Sequence, residues 1–101
     1  MSVVHICTRD ALEQARASST YSAESLGSEG FIHFSRWDQL AATAERHYPG
    51  VEGLLVLVVE PGGLPFRVEN GFPHLYAELP LSAVTEVLSL EEALARGAST
   101  G

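Results

Sequence analysis

Three of the four histidines, His5, His33 and His74, fall in short apolar stretches that read as strands, and an imidazole buried in a sheet needs hydrogen-bond partners. In Gly30-Phe31-Ile32-His33-Phe34-Ser35, strand alternation puts His33 on one face with Phe31 and Ser35, so a hydroxyl follows two residues along. In the run from Phe72 to Leu79 the same parity groups His74, Tyr76 and Glu78. Asn70-Gly71 between two alternating runs signals a two-residue hairpin, which sets Arg67 opposite His74 and Glu69 opposite Phe72. If these faces meet, imidazoles, a hydroxyl, a phenol, a carboxylate and a guanidinium line one polar cleft. Arg67 would clamp a phosphate or carboxylate there with a geometry lysine cannot copy. Taken singly, each strand histidine is more ordinarily bonded to a backbone carbonyl, and Arg67 with Glu69 is an exposed pair worth under about 1 kcal/mol. Three such histidines together favour a site.

Other chemistries find less support. Zinc sites commonly announce themselves as C-x2-C or H-E-x-x-H, and neither occurs; no metal site is expected, and a zinc hydrolase on the three strand histidines stands only as a second alternative. Cys7 shares a strand face with His5 and reads as a small buried hydrophobe. No G-x-S-x-G is present, and the aspartates, Asp10 and Asp38, stand at helix starts. Gly62-Gly63 after Pro61 is turn chemistry. All six basic residues are arginine, which excludes a Schiff-base lysine and a P-loop lysine.

The elements that must position these residues follow from periodicity. Val3 to Cys7 predicts a strand with Val3, His5 and Cys7 on one face and Val4 and Ile6 on the other. Thr8 caps a short helix carrying Ala11, Leu12 and Ala15. Residues 18 to 30, rich in Ser and Gly, read as a long polar loop anchored by Tyr21 and Leu26. After the Phe31 to Phe34 strand, Ser35 is expected to cap a helix whose free amides would hold an anionic group beside His33. The apolar face of that helix is Trp37, Leu40, Ala41, Ala44 and Tyr48, which leaves Thr43, Arg46 and His47 flanking it or exposed. Leu54 to Val59 has no polar residue and predicts a strand buried on both faces. Thr85 to Leu88 is a last strand, and Ser89 with Glu92 forms a capping box opening a helix that Gly97 closes. The order predicts a single α+β domain over residues 1–97, with a bent, split mixed sheet, two to three short helices and a flexible tail at 98–101.

Composition narrows the partners. The 101 residues carry 6 basic and 13 acidic side chains, a net charge of −7, and that field repels phosphate backbones, so nucleic acid is not an expected partner. No apolar run approaches the roughly 20 residues of a membrane span, and no signal-peptide pattern opens the chain. With one cysteine, these features predict a cytoplasmic protein, expected as a monomer or weak dimer.

The two strand blocks, the opening His5-Ile6 and the Thr43, Arg46, Tyr48 spacing together resemble the bacterial domain of unknown function 952 family, over nearly the whole chain. Arg67 and Glu69 also match its pattern, while Leu12 stands where relatives have Trp and Ala77 where they have Gly. That family in turn is similar to the ADP-ribosyltransferase-like superfamily, whose split, bent sheet holds NAD in a cleft. The resemblance implies catalytic positions at His5, His33, Ser35, His74 and Tyr76, and ligand-binding positions at Thr43, Arg67 and Glu69. It implies no tightly bound cofactor, with NAD as substrate of an ADP-ribosyl transferase or NAD glycohydrolase. A small nucleotide or anionic metabolite as the partner is what the Arg67 clamp and this resemblance imply. The alternative is a non-catalytic module that binds an anionic metabolite or a protein.

Overall fold

A strand made only of apolar residues must be covered on both sides, and the fold is arranged around one such strand. The computed structural model describes residues 2–100. In chain order its elements are β1 (Val3–Cys7), α1 (Arg9–Ser18), β2 (Thr20–Tyr21), α2 (Glu24–Glu29), β3 (Ile32–His33), a 3-10 turn (Trp37–Gln39) leading into α3 (Leu40–His47), β4 (Leu55–Val59), β5 (Phe66–Glu69), β6 (Phe72–Leu75), β7 (Leu79–Pro80), a second 3-10 turn (Leu81–Ala83), β8 (Val84–Ser89) and α4 (Leu90–Thr100). They make an α+β fold in which β4 is the centre of the sheet β1-β4-β8, with small sheets β2-β7 and β3-β6-β5 beside it.

Parity divides the core as the sequence requires. Val3 and Cys7 of β1 and Leu55, Leu57 and Val59 of β4 join Leu12, Tyr21, Ile32, Phe34, Leu75 and Leu79 on one side. Val4, Ile6, Leu54, Val56 and Val58 join Leu40, Ala44 and Ala93 on the other, so α3 and α4 cover one face and α1 with the small sheets covers the other. Trp37 and Tyr48 pack against this second cluster as expected, but Ala41 is exposed. Thr8 accepts from the Ala11 amide at 3.1 Å, and Ser89 and Glu92 exchange reciprocal bonds of 3.1 Å, so both predicted caps form. Asn70 and Gly71 both have positive φ, 53° and 82°, and the hairpin pairs Arg67 with His74 and Glu69 with Phe72.

Several expectations are corrected. Every strand pairing among the described residues is antiparallel, so the sheet is not mixed: β4 runs back against β1, and neither α1 nor α3 crosses to a parallel neighbour. Residues 18 to 30 are not a loop but hold β2 and α2; Tyr21 pairs with Leu79, and Gly30 ends α2 with φ of 88°. The α-helices among the described residues therefore number four. The Phe72 to Leu79 run ends as a strand at Leu75; the Tyr76 amide still donates to the Pro65 carbonyl at 3.0 Å in the register of the hairpin, and exposed Glu78 does not line the cleft with His74. Ser35 caps nothing. Its backbone exchanges two bonds with Val4, 2.8 and 2.9 Å, and the next amide, Arg36, is satisfied by Gln39 Oε1 at 2.8 Å. The Ser35 and Arg36 amides beside His33 are thus occupied. Leu12 packs in the first core cluster.

The Val4–Ser35 bridge joins the edge of the central sheet to the end of β3, so two sheets splay from a shared seam. No helix among the described residues is long and apolar enough to cross a membrane.

Gly97, read as a helix stop, lies inside α4, which runs on to Thr100; Gly101 lies outside the described residues. A Cβ at Gly97 would come within 2.8 Å of the Trp37 carbonyl oxygen, so α4 owes its close approach to the 3-10 turn to the missing side chain. Helix propensity alone predicts that Gly97→Ala stabilises by about 1 kcal/mol. We expect the opposite sign, a loss of about 1–3 kcal/mol in chemical denaturation, because backbone cannot yield as a flexible side chain does.

Candidate functional site

The splayed sheets, the side of α3 and the α2 segment enclose a cleft of about 940 Å³. Its floor begins at His5, which shares the parity of Val3 and Cys7 and so faces away from α3 and α4, toward the small sheets. The ring is 8% exposed, lies against Tyr21 and Phe34, and makes two bonds: Nδ1 to the His33 carbonyl oxygen at 2.5 Å and Nε2 to Tyr21 Oη at 2.9 Å. Burial drives the His5 pKa down to about 4, so the ring is neutral at pH 7. A carbonyl only accepts, so Nδ1 carries the proton and Nε2 accepts from the Tyr21 hydroxyl. Burial also raises the phenol of Tyr21 and pushes the Cys7 thiol up to about 11, so neither is an anion near neutrality.

Along the seam, Ser35 is buried at 4% exposure, and its Oγ lies 3.1 Å from Thr43 Oγ1 on α3. The rim is an aromatic and imidazole cluster. Phe31 stacks on His74 with centroids 4.2 Å apart and planes at 9°, and His33 meets Phe31 and His74 edge-on at 4.9 and 5.5 Å. Glu69 Oε1 accepts from Tyr76 Oη and lies 3.3 Å from His74 Nδ1. His33, half exposed, bonds Glu29 Oε2 through Nε2 at 3.0 Å.

Of the residues singled out in the sequence, His5, His33, Ser35, Thr43, Glu69 and His74 line the cleft together. Tyr76, tied to Glu69, and Arg67 do not line it; the Arg67 guanidinium lies over the Tyr76 ring, 5.5 Å from its centroid. The expected clamp at Arg67 is therefore a cation–π contact. Four residues that sequence reading did not assign to the site also line it: Tyr21, Glu29, Phe31 and Arg46. Phe31 shares the parity of His33, a signal that was present. Tyr21 and Glu29 were hidden in the polar segment read as loop. Arg46 follows Thr43 by one helical turn, but only the position of α3 beside the seam shows that this side of the helix meets a cleft.

No group of three metal-ligating side chains converges among the described residues, and both ring nitrogens of His5 are engaged in hydrogen bonds.

Burial of neutral His5 couples stability to pH. Its folded pKa lies below the unfolded value, so its contribution is complete above about pH 6.5 and is lost as pH falls toward 4, where the folded ring also protonates. The stability gap between the wild type and His5→Gln should therefore shrink by about 2–3 kcal/mol between pH 7 and 4.5. Urea denaturation of both proteins at both pH values measures it, and a constant gap would show that His5 is not held neutral by burial.

None of the curated proteins compared with the chain matches it. Among solved structures, the crystal structure of protein CC0527 from Caulobacter crescentus is similar at a TM-score of 0.81 with 29% identity, covering 88% of this chain and 85% of that one. The solution NMR structure of the same protein gives 0.73 and 31%, covering 87% and 83%. A family model described as "Protein of unknown function (DUF952)" matches residues 6–87, most of the described chain and every cleft residue between Ile6 and His74. With the fold shared with CC0527 and the matched residues spanning all but the first residues of the cleft, the chain belongs to the DUF952 family.

Proposed function

We propose that the cleft binds an anionic nucleotide of the NAD type and breaks its nicotinamide–ribose bond. The observation that carries this reading is electrostatic. Arg46 is the one arginine lining the cleft and makes no ion pair among the described residues, whereas both acids lining it, Glu29 and Glu69, are tied to histidines. In a chain of net charge −7, that leaves a local site for an anion. The volume suits a small molecule, and the stacked Phe31–His74 pair offers a flat apolar wall for a ring.

The chemistry needs no general acid. When the bond from ribose C1′ to the pyridinium nitrogen breaks, its electron pair stays on nitrogen and cancels the ring's charge, so nicotinamide leaves without needing a proton. The ribose develops oxocarbenium character, and an acceptor adds its lone pair at C1′ and gives up its proton to water. The Glu69 carboxylate supplies negative charge near such a centre, and the Ser35–Thr43 hydroxyl pair supplies polar contacts for ribose. This reading extends the likeness of the strand blocks to the ADP-ribosyltransferase-like superfamily. One feature favours the alternative of a non-catalytic binding module: Glu69 already accepts from Tyr76 and lies within bonding distance of His74.

NAD, ADP-ribose and inorganic phosphate, each titrated into the purified protein, test the reading by thermal shift, and nicotinamide release is followed with water, alcohol and amine acceptors. NAD should protect the fold and release nicotinamide. Protection without release selects the binding module, and protection by none of the three overturns the nucleotide reading. Arg46→Ala should weaken NAD binding by roughly tenfold to a hundredfold, the loss of one charge-assisted bond, while the melting temperature stays unchanged because the residue is exposed.

A further inference from the structure

We infer that the cleft floor at Tyr21 recognises a hydrogen-bond donor on its ligand, so that a carboxamide is accepted and the corresponding carboxylate rejected. The inference rests on the nucleotide reading above and goes further, since it assigns a specificity-determining atom, Tyr21 Oη.

The His33 carbonyl oxygen can only accept, and it lies 2.5 Å from His5 Nδ1, so the imidazole proton is fixed on that nitrogen. The other tautomer would aim a ring lone pair at a carbonyl lone pair. His5 Nε2 is left bare, and its partner at 2.9 Å is Tyr21 Oη, whose single proton is therefore committed to the ring. The phenol is held in place by its strand, since Tyr21 pairs with Leu79 and is 5% exposed. Both residues line the cleft. What Tyr21 Oη has left for a ligand is lone pairs alone. An amide NH2 completes its bonding, whereas a carboxylate oxygen meets it with lone pairs on both sides and no proton to share.

The Ser35–Thr43 pair differs. Two hydroxyls bonded to each other retain one unused proton between them, so the seam can donate to a carbonyl oxygen while Tyr21 accepts from the amide nitrogen. Simple electrostatics points the other way. Arg46 in the cleft wall favours the ligand with the extra negative charge, so a preference for the amide has to come from the floor.

The experiment compares NAD with its deamidated analogue, in which the carboxamide is a carboxylate, by calorimetry on the wild-type protein, and nicotinamide with nicotinate as competitors. NAD should bind about a hundredfold more tightly, the scale of the loss when a buried acceptor is left facing a ligand atom that has no proton. Tyr21→Phe should reduce that ratio at least about tenfold by weakening NAD while leaving the acid unchanged. Nitrogen chemical shifts of His5 in the folded wild-type protein should report the Nδ1–H tautomer, a readout that needs no ligand and no variant. Equal affinity for amide and acid, an unchanged ratio in Tyr21→Phe, or the Nε2–H tautomer overturns this inference alone. Binding of neither dinucleotide overturns the nucleotide reading and this inference with it.

Discussion

Two backbone hydrogen bonds between Val4 and Ser35 set the geometry on which the site depends. They attach the edge of the central sheet to the end of β3 at one point, so the sheets share a seam without sharing a surface. A full ladder would have flattened them into one layer and closed the gap. A single bridge leaves them splayed, and the side chains nearest the seam, His5 below and Ser35 at the join, face the space between. The His5 Nδ1 bond to the His33 carbonyl is a second tie across the same gap, made by a side chain where the backbone ladder has stopped. The polar floor is thus also the fastening of the fold, which is why a buried imidazole is tolerated in a core strand.

How much of this was legible follows from where the information lies. The central strand, the parity of β1, the hairpin at Asn70-Gly71 and the Ser89–Glu92 box are written in residues close together in sequence, and they form as read. The meeting of His33 and His74 was legible because both sit in strongly alternating blocks and pair directly across β3 and β6. The segment from Ser18 to Gly30 was not legible. Its two elements are stabilised by distant partners, Leu79 for Tyr21 and the core for Leu26, while its local composition is that of a loop. Ser35 misled for a related reason: a serine before a helical pattern is a good cap, but here its backbone was already engaged by Val4. Arg67 was placed correctly in register and wrongly in role, since register fixes a face and leaves open whether a flexible guanidinium lies over a neighbouring ring.

The cleft's charge shows how a strongly acidic chain can still receive an anion. Each acid in the walls is held against an imidazole, and Arg46 in the same lining has no ion-pair partner among the described residues. Net charge governs the approach of a large polyanion over many ångströms, but within a pocket the nearest unpaired group dominates. The same pairing gives the rim its shape. Phe31 is fixed by stacking on His74, and His74 is oriented by Glu69.

The Gly71 carbonyl at the tip of the β5–β6 hairpin accepts from both Arg36 Nη1 at 2.9 Å and Gln39 Nε2 at 2.7 Å. The hairpin is therefore a beam clamped at its free end as well as along β3, and it cannot swing as an unsupported hairpin does. The rim residues it carries, Glu69 and His74, keep their spacing whether or not anything occupies the cleft. The entropy of arranging them is lost once, during folding, and does not recur at each encounter with a ligand.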